Sequence, residues 1–230
     1  MKTVTKMGPK RSKKTPTKST DTLDYSSFQN EFSPIKLVES PGLQRQGNLT
    51  GTARKLKDGA ADLHNYIQSW NGYKTEGSNI ISDIANIKLE KILENEESVD
   101  QNDKMLPESL LPLCEKLNNV LQKLEKITVK LSRLAEMCKG LAELEKYKGD
   151  GDVVLFQTWD IDQFVTVFSQ ISNMYEKEYR MKQFILENIC HVNDRNSIMF
   201  YSSTWIHEPY IDINISLMLE SVLLETNHKT

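Results

Sequence analysis

Side-chain catalysis draws mainly on histidine, cysteine and paired carboxylates, because these titrate near neutral pH or carry a strong nucleophile. The chain has four histidines, His64, His191, His207 and His228, and three cysteines, Cys114, Cys138 and Cys190. None of the histidines has a carboxylate or nucleophile at a spacing that would set up a relay. Cys190 and His191 are neighbours, whereas a zinc site wants closely spaced ligand pairs, so a core cysteine at a helix end is the better reading. G-x-x-x-x-G-K-[ST], G-x-G-x-x-G and H-E-x-x-H are all missing from the sequence. The expectation is a non-enzyme with no catalytic, cofactor-binding or metal-ligating residue.

The clearest chemical readings fall near the N-terminus. Lys10, Arg11, Lys13 and Lys14 form a short basic cluster, the form in which an import receptor's acidic groove reads basic side chains. It predicts a nuclear protein, with shuttling to the cytoplasm left open. Thr15-Pro16-Thr17-Lys18 and Ser33-Pro34-Ile35-Lys36 both match the S/T-P-x-K pattern of cyclin-dependent kinase substrates, and Ser40-Pro41 matches its minimal form. Thr15, Ser33 and Ser40 are the phosphorylation candidates, and a phosphate on Thr15 would set about two negative charges beside the import cluster. Arg54-Lys55-Leu56 has the R-x-L form by which cyclins dock substrates. Leu56 also falls on a helical stripe, and the core reading is the stronger.

The charge is unevenly spread. Of a net −3 over 230 residues, residues 1–20 carry +7 and residues 21–50 carry −2, which leaves −8 on the remainder. A basic tail on an acidic body has no bulk attraction to nucleic acid. No aromatic interleaves the basic run, so stacking on single strands is unsupported. No apolar run reaches the length a membrane span needs, and the N-terminus lacks the apolar segment of a secretory signal. Three cysteines at long spacings argue against a disulfide framework and for a reducing compartment.

Residues 1–51, rich in Lys, Ser, Thr, Pro and Gly without apolar periodicity, read as a disordered tail. Residues 52–230 read as an α-helical body. Leu56, Ala60, Leu63, Ile67 and Trp70 form one helical stripe, which Asn71-Gly72 is expected to stop. Ser78 is a candidate cap for a second helix carrying Ile80, Ile84 and Ile87. The strongest pattern is the seam through Leu113, Leu117, Leu124, Leu131, Leu134 and Leu141, with Leu110, Val120, Ile127 and Cys138 between them, which predicts a long heptad helix over 107–147. Its flanking apolar positions favour a bundle of three or more helices, and its last turns, Met137 to Tyr147, are expected to project toward a partner. Asp160 with Gln163 reads as a capping box opening a long helix over 160–192; Asp194 and Asp212 are candidate caps for two shorter ones. The fold class is all-α, an elongated bundle or coiled coil of five or six helices with a disordered N-terminal tail.

Six segments then carry a resemblance: TARKLKDGAADLHNYIQSW (52–70), SDIANIKLE (82–90), FQTWDIDQF (156–164), the MYEKEYRMKQ stretch from Met174, WIHEPY (205–210) and LESVLLETNH (219–228). Over about three-quarters of the chain, in the same order, they resemble the cyclin-dependent kinase 2-interacting protein family. Leu63 departs from it, standing where the vertebrate members carry Trp, and residues 1–50 form a longer tail than theirs. The resemblance implies a non-enzymatic nuclear adaptor without cofactors. It implies as partners cyclin-dependent kinase 2 and the origin-firing kinase, replication origin and helicase components, and the ATR-interacting checkpoint protein. It further implies an AAA+ ATPase of the spermatogenesis-associated type with a second small helical subunit, acting on replisome proteins and in maturation of the large ribosomal subunit. The alternative reading is an accessory protein that contacts nucleic acid directly through its basic tail, which the acidic body opposes.

Overall fold

The computed structural model describes residues 51–97, with side chains to Leu93, together with 108–149 and 154–228. The import candidates Lys10, Arg11, Lys13 and Lys14 and the phosphorylation candidates Thr15, Ser33 and Ser40 lie outside the described residues. Among those residues there are five α-helices and no strand: α1 (Gly51–Glu97), α2 (Leu111–Lys148), α3 (Ile161–Ile189), α4 (Arg195–His207) and α5 (Ile215–Glu225), with a 3₁₀ turn at Glu108–Leu110 leading into α2. The fold is all-α.

Asn71-Gly72 does not end the first helix, and Ser78 caps nothing. The two expected helices are one α1 of 47 residues. A glycine inside a helix costs only about 1 kcal/mol relative to alanine, too little to break a helix packed on both sides of it. Trp70 is fully buried before that glycine, and Ile81 and Ile84 are fully buried after it. The Ser78 hydroxyl turns back to the Lys74 carbonyl at 2.9 Å, and Ser69, Thr75 and Ser82 do the same four residues back, the bonding by which hydroxyl residues sit inside helices.

α2 starts with Pro112 in its first turn and ends at Gly149, whose φ of +84° lets its N–H reach the Glu145 and Lys146 carbonyls. Taking Leu117, Leu124 and Leu131 as heptad a positions, the a and d positions from Leu117 to Leu141 are buried, and so are Leu121, Thr128, Ala135 and Ala142 at e. Leu117, Leu124, Leu131, Leu134 and Leu141 of the seam are therefore interior, and Leu113 is partly buried against them. An apolar face this wide buries against two helices at once. α2 runs antiparallel to α1, since Thr52 meets Glu145 and Glu76 meets Lys123. It also runs antiparallel to α3, since Lys146 pairs with Asp162 and Cys114 is bonded to Cys190.

The last turns of α2 do not project. Cys138, Leu141, Ala142 and Glu145 are buried, clasped by the Thr52 hydroxyl of α1, which donates to Glu145, and by the ion pair of Lys146 with Asp162 of α3. The expectation failed because a heptad pattern says how much face is apolar, not which neighbours cover it. Only Leu144 and Tyr147 of that stretch are large apolar side chains left exposed.

α3 opens on the expected capping box: Asp160 accepts the Gln163 N–H at 2.9 Å, and the Gln163 side chain accepts the Asp160 N–H at 3.2 Å. Asp194 caps α4 by accepting the Ser197 N–H at 2.8 Å. Asp212 does not cap α5; Asn214 stands at the N-cap position without a side-chain capping bond, and Asp212 closes the preceding turn by accepting the Asn214 N–H at 2.8 Å. α4 and α5 lie back on the three long helices, with Trp205 buried against α1 and the end of α5 against the segment before α3.

Candidate functional site

The apolar stripe of α3 is broken at Glu178 and Lys182, one turn apart, and both are fully buried. Ionised side chains leave water only with partners, and the partners come from α1 and from the end of α4. Lys182 Nζ lies 3.4 Å from Glu178 Oε1 and 3.1 Å from Glu208 Oε1, donates to the Trp205 carbonyl at 2.9 Å, and sits 4.4 Å from the Trp205 ring centroid. Glu208 also pairs with Lys74 at 2.8 Å and accepts the Trp70 indole N–H at 2.8 Å. Glu178 accepts the Tyr210 N–H at 3.1 Å. Two acids and two lysines balance, which is what makes their burial tolerable. Burial still pushes the Lys182 ammonium below its ordinary pKa, against the pull of Glu208 and Glu178, and pushes the Glu178 carboxyl above its own.

Backbone geometry aims this cluster. Glu208 follows α4 in the left-handed region, φ 48°, with its N–H on the Thr204 carbonyl; Pro209 then prevents the helix from continuing. On α1 the Trp205 ring lies against Gly77, where an added Cβ would stand 2.2 Å from the ring, and the Trp205 indole donates to the Lys74 carbonyl at 3.1 Å.

Three further polar joints tie the ends of the bundle. Glu225 of α5 accepts the backbone N–H groups of Gln157, Thr158 and Trp159 at 3.2, 3.0 and 3.3 Å and the Thr158 hydroxyl. The His228 ring meets the Lys57 carbonyl at 2.8 Å. At the opposite end Lys88 of α1 donates to the Cys190 carbonyl at 2.7 Å; burial, with Lys91 nearby, holds its pKa down. Each of the six segments quoted above supplies a residue to one of these joints. The resemblance is thus carried largely by residues that fix how the helices meet.

The cysteine reading is corrected. Cys114 and Cys190 form a disulfide across 76 residues of chain, because α2 begins where α3 ends, a juxtaposition that spacing in sequence does not reveal. Cys190 is buried at the end of α3, and Cys138 is unpaired and buried, its thiol pushed up to about 12 by desolvation. His64 and His207, far apart in sequence, line one groove of about 470 Å³ with Lys74, Tyr175, Glu208 and Leu219. Ser216 lines it too, and no hydrogen bond links it to either ring among the described residues. No group of three His, Cys, Asp or Glu able to hold a metal occurs among those residues. Leu56 is fully buried on the core face of α1, so the leucine of Arg54-Lys55-Leu56 is packed inside the bundle while Arg54 and Lys55 are exposed.

No family model matches the chain. Curated proteins do. The chain is 35% identical over 205 residues, 83% of its length and 98% of the relative's, to the cyclin-dependent kinase 2-interacting protein of Xenopus laevis. It is 39% identical to the mouse protein of that name and 34% to the human one, each over 199 residues, 80% of this chain and 94% of the relative.

Proposed function

Because the chain belongs to the cyclin-dependent kinase 2-interacting protein family, we propose that it is a non-enzymatic adaptor whose helical body binds cyclin-dependent kinase 2 and other proteins through its outer faces. The observation that carries this is the match itself, which spans nearly the full length of relatives named for binding that kinase. The buried charge cluster joins α1, α3 and the residue that ends α4 through four ionisable groups, which leaves the outer faces of these helices for partners. In the finer reading, the partners include the origin-firing kinase, replication origin and helicase components and the ATR-interacting protein. The same body would serve as the helical subunit of a spermatogenesis-associated AAA+ ATPase, with a second small helical protein, in replisome proteostasis and large ribosomal subunit maturation. Lys10, Arg11, Lys13 and Lys14 would direct nuclear import, under control of phosphates on Thr15, Ser33 and Ser40.

The test is surface-immobilised full-length chain against purified cyclin-dependent kinase 2, alone and with its cyclin. Saturable binding that leaves kinase activity on a model substrate intact is expected. Failure to bind either form overturns the kinase-adaptor reading. Affinity purification from nuclease-treated nuclear extract tests the wider set, and recovery of an AAA+ ATPase with a second helical subunit is the expected result.

A further inference from the structure

The faces of α2 that bury nothing are chemically divided. In the heptad set by Leu117, Leu124 and Leu131, the g positions Lys116, Lys123 and Lys130 and the c positions Lys126 and Arg133 share one edge. That edge turns toward α1: Lys123 pairs with Glu76 at 3.1 Å and sits over Tyr73, and Lys130 sits over Tyr66. Glu115, Glu125, Glu136 and Glu143 fall at b and f, on the other edge, where the two lysines present, Lys139 and Lys146, are paired with Glu136 and Asp162. Five cations therefore line one side of a helix in a body that carries −8 over residues 51–230. Lys116, Lys126 and Arg133 enter no ion pair among the described residues. Between α1 and α2 a groove of about 430 Å³ is lined by Glu76, Lys116, Asn119, Gln122, Lys123 and Lys126. Beyond Arg133 the same edge becomes apolar: Met137, then Gly140 with open space around it, then exposed Leu144 and Tyr147.

We propose that this c/g edge of α2 is a docking surface for an acidic helix of a partner protein, its carboxylates on Lys116, Lys126 and Arg133 and its apolar end over Leu144 and Tyr147. The proposal rests on the adaptor reading and gives it a location and a partner chemistry. Charge complementarity selects the occupant. From Lys116 to Arg133 the strip runs straight for about 26 Å at the helical rise, a length that one helix covers. A nucleic acid would leave the apolar half uncovered and would meet the repulsion of the acidic body. Tyr66 and Tyr73 also have lysine ammonium groups over their rings, on the faces a base would stack against.

Fluorescence anisotropy on the full chain tests this with three labelled probes. The first is a peptide of about 20 residues, long enough to be helical, with glutamates along one half and leucines along the other, made in both polarities. The second replaces its Glu with Gln, and the third is a single-stranded RNA of similar length. The acidic peptide is expected to bind, its Gln counterpart about tenfold or more weaker, with loss of affinity as salt rises. The triple variant Lys116→Glu, Lys126→Glu, Arg133→Glu, all surface positions, is expected to lose about tenfold with unchanged circular dichroism. Leu144→Ala with Tyr147→Ala is expected to weaken binding as well. No binding of the acidic peptide, equal binding by the triple variant, or preferred binding of RNA overturns the proposal. Kinase binding by the same preparations is measured in parallel. If the chain binds the kinase but not the acidic peptide, only the docking strip fails; if it does not bind the kinase, the adaptor reading fails on its own account.

Discussion

Glu208 is the carboxylate that the buried cluster depends on most, since it meets Lys182, Lys74 and the Trp70 indole together. Replacing it with Ala leaves Lys182, fully buried, with Glu178 at 3.4 Å and one carbonyl. Removing one member of a buried ion pair costs about 3–5 kcal/mol, and the remaining Glu178 places this case toward the lower end. The Trp70 N–H loses its acceptor while buried, which adds about 1 kcal/mol or more. Lys74, partly exposed, recovers water and adds little. The expected loss is about 4 kcal/mol, a large share of the roughly 5–15 kcal/mol that holds a typical domain folded. Urea unfolding at pH 7, followed by far-ultraviolet circular dichroism, measures it. A paired comparison isolates the electrostatics: Lys182→Met alone leaves buried Glu178 uncompensated, and adding Glu178→Gln removes that charge while keeping an acceptor for the Tyr210 N–H. The double variant should recover about 1–2 kcal/mol over Lys182→Met. If Glu208→Ala cost less than about 1 kcal/mol, or if Glu178→Gln made Lys182→Met worse, the cluster would be solvated in solution and this reasoning would be refuted.

Gly77→Ala places a Cβ 2.2 Å from the Trp205 ring and should cost about 1–3 kcal/mol, whereas Gly72→Ala, with nothing within 4 Å, should stabilise α1 by up to about 1 kcal/mol; thermal melts of the two variants should move in opposite directions. Leu124→Asp with Leu131→Asp puts two unpaired charges into the bundle and should abolish the cooperative melt. Without reductant the native chain should show no thiol reactive to iodoacetamide at pH 8, since Cys114 and Cys190 are bonded and the buried Cys138 thiol is raised to about 12; mass spectrometry that finds a carbamidomethyl group on the native chain refutes this. Hydrogen bonds from Ser197 hold the Asp194 carboxyl below its ordinary value of 3.8, so its contribution is present above that pH and is lost as pH falls through the depressed folded value. Unfolding from pH 3 to 7 should show a shallower acid limb in Asp194→Ala. Burial gives Glu178 the opposite sign: its raised pKa favours the fold at low pH, and that contribution is lost as pH rises through the folded value.

Local chemistry was legible where it acts within a few residues. The Asp160 and Gln163 capping box and the Asp194 cap are read from adjacent residue types, because a cap satisfies N–H groups two or three residues away. The seam from Leu117 to Leu141 was legible because a face that repeats with the helix turn must be covered by something. The sequence alone thus determined an all-α chain and which side chains of α2 are interior. It left open what covers that face, and there the reading went astray: α1 continues through Gly72 because Trp70 and Ile81 are both held by neighbours distant in sequence, and the end of α2 is clasped by Thr52 and Asp162. Only the tertiary structure paired Cys114 with Cys190, set Glu208 between Lys74 and Lys182, and turned the lysine edge of α2 toward the tyrosines of α1. These contacts join residues far apart in the chain, and periodicity fixes the direction a side chain takes from its own helix axis but carries nothing about which helix it will meet.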